Sequence, residues 1–178
     1  MKRSLILAAM IDYYKTRKKL WLKFLIALIP ALITGISLGC VRFKPSIDIS
    51  DVFGGFVNVQ ISAIAVLLSF SIAIITILVS ADNPNIKKLK EKHSTECKPR
   101  NGKPISLFQV LLSNITYNVL IEVIYLGFLI LCIFLQLYVC DDAYKWLMSV
   151  SVFFIVHILH VLLESVGQMY LTFWKHEE

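Results

Sequence analysis

Apolar and polar positions along the chain fall into four long apolar runs separated by short polar ones, and each run has the length of a bilayer crossing. Residues 56–80, FVNVQISAIAVLLSFSIAIITILVS, contain no Asp, Glu, Lys or Arg. About 20 apolar residues at ~1.5 Å rise each cross a ~30 Å hydrocarbon core, so this run is long enough to span with some tilt. Runs at 24–41, 115–139 and 146–174 predict three more transmembrane helices, and the fold class is an all-α membrane protein built as a four-transmembrane-helix bundle. Trp146, Tyr170 and Trp174 mark the two interfaces of the last run. The third apolar region begins earlier, near residue 107, but carries Gln109, Ser113 and Asn114. Residues 105–113 are therefore expected to lie at the interface or to lengthen the helix beyond the membrane, as part of a loop and helix extension over 81–114.

Smaller periodicities give each span a face. In the second span Asn58, Ser62, Ala65, Ser69, Ala73, Thr76 and Ser80 step by three or four, a stripe expected to meet other helices because small and weakly polar side chains let backbones approach in lipid. In the first span Ala27, Ala31, Gly35 and Gly39 are each four apart and end in GxxxG. This is a helix-packing face, within the subunit or between subunits. Pro30 is tolerated in such a helix and favours a kink.

The segments between the runs set the orientation. Residues 1–23 hold a short apolar stretch, no small-x-small cleavage site, and then Lys15, Arg17, Lys18 and Lys19. They read as an N-terminal helix at the membrane interface rather than a secretory signal, with the cations near anionic lipid and Tyr13, Tyr14 and Trp21 at the boundary. Residues 42–55 read as a short outer connection, CDDAYK as another, and residues 87–93 as a short exposed helix. Of the 18 Lys and Arg residues, fifteen lie in the N-terminal segment, the 81–105 loop and the tail. That bias places both termini and the large loop in the cytoplasm. It also accounts for the net charge of +6 without direct nucleic-acid binding.

With 57% hydrophobic and 17% charged residues the chain reads as a single membrane domain over 1–178. Cys40, Cys97, Cys132 and Cys140 show no metal-ligand spacing, and His93 with Cys97 lacks a second pair. No metal or other cofactor is expected. Cys40 and Cys140 end the first and third spans on the outer side, where an oxidising periplasm would allow them to pair.

Chemistry concentrates in two places. Within the spans the ionisable carboxylates are Glu122 and Glu164, and such groups at membrane depth by default suggest function. Asn118 and Glu122, continuing from Asn114, form a polar stripe on the third span; His157, His160, Glu164 and Gln168 form one on the fourth. We expect the stripes to face each other at similar depth as one intramembrane network. It would serve as a structural hydrogen-bonded core, a hydrated cavity or ion path, or a ligand or metal site; paired carboxylates and a histidine would make it proton-linked. The second place is the basic loop, where Lys87, Lys88, Lys90 and Lys92 suit anionic lipid or a docked cytosolic partner. No HExxH or GxSxG occurs, and Gly54-Gly55 lacks the rest of a phosphate loop, so nothing supports an enzyme.

The charge-free second span running into a basic loop, LSFSIAIITILVSADNPNIKKLKEKHS, and the polar fourth span, VFFIVHILHVLLESVGQMYLTFWKHEE, resemble small four-span bacterial membrane proteins of anti-phage systems. These are the membrane subunit KwaA of Kiwa defence and the RexB-type phage-exclusion protein. The likeness is one of topology and texture over most of the chain and carries no functional residue. A Kiwa-like reading implies a homo-oligomeric sensor of infection, a tetramer as first guess, that holds a cytosolic DNA-binding partner, KwaB-like. A RexB-like reading implies a small ion channel that depolarises the membrane. An accessory or assembly subunit of a larger membrane complex needs only the helix-packing faces.

Overall fold

The computed structural model of the chain describes residues 5–18, 20–40, 48–80, 84–94, 97–99 and 102–174. Among these residues six helices follow in order: α1 Leu5–Thr16, α2 Leu20–Cys40, α3 Ile49–Ser80, α4 Pro84–Glu91, α5 Leu107–Leu135 and α6 Asp141–Trp174. No β-strand occurs among the described residues. α2, α3, α5 and the Asp141–Tyr170 part of α6 are long and apolar enough to cross a membrane, as in a multi-pass membrane protein. Ile33, Ile36, Val59, Val66, Ile77 and Leu163 point outward, which suits acyl chains rather than water.

All four spanning helices start before their apolar runs, α2 by four residues, and for α3, α5 and α6 the reason is local. α3 takes in residues 49–55, including Gly54-Gly55, instead of leaving them as a connection. A helical Gly costs about 1 kcal/mol relative to Ala, but Ile49, Phe53 and Val57 keep a helical period and are buried. Phe53 stacks on Tyr144 with ring centroids 4.9 Å apart. Of the rest of the expected connection, 42–47 lie outside the described residues, as does Val41 at the end of the first predicted span. α5 is continuous from Leu107 because Ser106 and Gln109 form a capping box: the Ser106 hydroxyl accepts from the Gln109 amide at 3.3 Å, and Gln109 Oε1 accepts from the Ser106 amide at 3.1 Å. α6 opens on Asp141 and Asp142, acidic residues that a helix N-terminus favours.

α5 and α6 occupy the middle of the bundle. α2 packs chiefly on α6, and α3 chiefly on α5. One core cluster runs through the bundle around Phe53, Ile64, Tyr117, Tyr125, Leu129 and Ile158. A second, around Leu78, Leu111 and Ile115, is closed by Ile86 and Leu89 of α4, so α4 is half-buried rather than simply exposed. α1 also docks on the bundle: Tyr13 is buried and stacks on Tyr117 at 3.8 Å, where the boundary reading had placed it against headgroups. Tyr14 and Trp21 remain exposed. Burial, with Glu164 nearby, raises the Tyr13 phenol above its ordinary value, and the adjacent Arg17 opposes that.

Candidate functional site

The turn between α1 and α2, the loop after α4, and the ends of α5 and α6 converge on one partly buried group of charges. Arg17, expected to sit in anionic lipid, is only 5% exposed. Its guanidinium donates to the Val110 carbonyl at 3.2 Å, to Cys97 Sγ at 3.4 Å and to Asn114 Oδ1, and lies 3.9 Å from the Glu164 carboxylate. Lys23, at the start of α2, pairs directly with Glu164 and reaches the Tyr13 hydroxyl at 3.4 Å. Both cations lie over the Tyr13 ring, at 5.4 and 5.5 Å. Gln168 Nε2 donates to Glu164 at 3.3 Å and Gln168 Oε1 accepts from Asn114 at 3.3 Å, which joins α6 to α5.

Backbone pairing brings the loop to this cluster. The Lys98 amide donates to the Thr16 carbonyl at 2.8 Å, and the Ser94 amide to the Ile105 carbonyl at 2.9 Å. Arg17 suits the position because a planar guanidinium can bond several acceptors at once, where a lysine presents a point charge. The cluster thus joins the helices to the loop that follows the lysine-bearing α4. Lys87, Lys88, Lys90 and Lys92 are all exposed there, with Lys90 5.2 Å above the Phe108 ring.

The expected single network divides into separate groups. Glu122, fully buried, accepts at Oε1 from Ser71 Oγ of α3 at 3.1 Å and from Asn118 Nδ2 at 2.8 Å. His157 Nε2 bonds the Tyr117 hydroxyl at 3.0 Å, and its ring stacks against Phe24 at 5.0 Å. His160, half-buried, lies one turn further along α6. Asn114 faces Gln168 and Tyr117 faces His157, while Tyr125 stacks on Phe154. In that antiparallel register Glu122 lies deeper in the bundle than Glu164, by roughly two turns or about 10 Å. The two carboxylates have no hydrogen-bond or ion-pair partner in common among the described residues. Ser71 escaped notice because it lies off the small-residue stripe, on the inward face that runs Val57, Ile64, Ser71, Leu78. Its signal was a lone hydroxyl among apolar residues at spacing seven.

The packing faces also separate. Ala27 and Ala31 are buried, and the Ser149 hydroxyl of α6 donates to the Ala31 carbonyl at 2.6 Å. A Cβ on Gly35 would meet Ser149 Oγ at 2.9 Å, whereas one on Gly39 would meet nothing within 4 Å. The ladder from 27 to 35 therefore packs within the subunit. Ser62 and Ser69 turn outward and bond the carbonyls of Asn58 and Ala65 on their own helix, at 3.1 and 2.9 Å. Cys40 and Cys140 are exposed free thiols.

Against this arrangement of residues, no family model, no curated protein and no solved structure matches the chain.

Proposed function

We propose that the chain is a non-enzymatic, multi-pass component of the bacterial inner membrane, with both termini inside, that senses infection or membrane perturbation and anchors a cytosolic DNA-binding effector. The observation that supports this most is the partly buried Arg17–Lys23–Glu164 cluster, which links α2, α5 and α6 to the loop behind the exposed lysines of α4. A shift of α6 against α2 would move Glu164 and, through Arg17, the loop. Membrane state would thereby reach a cytosolic surface by a chain of direct contacts. α1 belongs to that surface, with its basic end at the interface. The outward stripe of Asn58, Ser62, Ser69 and Thr76 on α3 supports assembly between copies, since a small face in lipid favours close helix association.

The basic surface gives the test. Changing Lys87, Lys88, Lys90 and Lys92 together to Glu is expected to abolish co-purification of the cytosolic DNA-binding protein. Because exposed charges are screened beyond ~10 Å at 0.1 M ionic strength, wild-type recovery is expected to fall as salt is raised. Undiminished, salt-independent recovery with the quadruple variant would refute docking at α4. An ion path is the second reading, and the polar group at Ser71, Asn118 and Glu122 in the bundle interior favours it. Potential-driven ion flux in liposomes at neutral pH, lost in Glu122→Gln, would select that reading over anchoring.

A further inference from the structure

The carboxylate of Glu164 has two cations beside it, Arg17 and Lys23, whereas the group around Glu122 holds buried acceptors that nothing pairs. Glu122 is 0% and Asn118 1% exposed, yet Glu122 Oε2 and Asn118 Oδ1 have no hydrogen-bond partner. Both are acceptors on adjacent turns of α5. An unpaired polar atom away from water is costly, and an ionised carboxylate without a counter-charge more so.

Among the described residues no side chain supplies that charge. Beyond Asp51, α3 has no titratable residue. On α5 the neighbouring titratable groups are Tyr117, already bonded to His157, and Tyr125. On α6 the ring of His157 is turned to Tyr117 and Phe24. Arg17 and Lys23 are committed to the separate cluster at Glu164.

We infer that Glu122, with Asn118 and Ser71, forms a buried binding site for a monovalent cation, a proton or sodium, between α3 and α5. Oxygen ligands from carboxylate, carboxamide and hydroxyl suit a hard cation, and a proton on the carboxyl neutralises the same charge. Among the described residues, the Ser71–Glu122 bond is the side-chain hydrogen bond between these helices, and Gln136, just past the end of α5, bonds Ser50 of α3. Occupancy of the site therefore bears directly on how α3 sits against α5. The inference rests on the membrane placement of these helices and not on the anchoring role.

Infrared spectra of the full chain in phosphatidylethanolamine–phosphatidylglycerol vesicles test it, with choline as supporting cation. A protonated-carboxyl C=O band at neutral pH, lost in Glu122→Gln and shifted in Ser71→Ala, identifies the proton. Carboxylate bands that shift when choline chloride is replaced by sodium chloride, and that respond to the same substitutions, identify sodium. If Glu122→Gln fails to fold, the shift in Ser71→Ala alone makes the assignment, because that variant keeps the carboxyl. Carboxylate bands at neutral pH that sodium does not alter, or a response that neither substitution changes, would overturn the site.

Discussion

Replacing Glu164 by Leu is expected to cost about 3 kcal/mol of stability, the low end of the range for removing one member of a buried ion pair. The low end applies because the Glu164 side chain is 21% exposed. The loss leaves Arg17 and Lys23 as two like charges over one tyrosine ring. Arg17→Leu is expected to cost less, because Lys23 still neutralises Glu164, although the Val110 carbonyl and Asn114 Oδ1 lose their donor. Gln at 164 keeps the shape and some hydrogen bonding and is expected to fall between wild type and Leu. Unfolding free energies measured by steric trapping in bicelles give the order. Equal losses for Glu164→Leu and Arg17→Leu, or none, would remove the cluster as the tie between loop and bundle. The cost of Glu164→Leu is also expected to add to that of Glu122→Leu, since sites about 10 Å apart without shared partners behave independently.

Ala31→Leu is expected to destabilise the chain by about 1–3 kcal/mol, as overfilling a close helix contact does, because Ala31 is buried where Ser149 of α6 bonds its carbonyl. Gly39→Leu, two steps along the same ladder, is expected to cost nothing. Its Cβ enters open space, and removing a helical glycine returns up to about 1 kcal/mol. The same unfolding measurement checks both. If Gly39→Leu proved the damaging change and also reduced the size of the assembly on a sizing column, the ladder would pack between subunits.

These two contacts show how far the sequence could be read. Run length is enough to identify four spans, because a lipid core demands about 20 apolar residues whatever their neighbours. Ends are harder to read. Gly54-Gly55 carries the local signature of a turn, and only the burial of Phe53 against Tyr144 shows that the helix continues through it. Periodicity gives a face but not its neighbour, so the small stripe of α3 was expected to meet another helix, whereas the inward side is Val57, Ile64, Ser71 and Leu78. Glu122 and Glu164 stood out as charges in apolar runs. Their partners did not: Arg17 is one of several cations before the first span, and nothing local separates it from lysines that face lipid or water. The signal in the sequence is the need of Glu164 for a counter-charge, which the basic residues before the first span, Arg17 and Lys23 among them, can supply.

The ion cluster and the lysine-bearing α4 are expected on the cytoplasmic side of a four-span bundle. Alkaline phosphatase, active only outside the cytoplasm, tests it most directly when fused after residue 50 and after residue 95. Activity at the first position and none at the second is the expected result. The reverse pattern, or activity at both, would contradict the account.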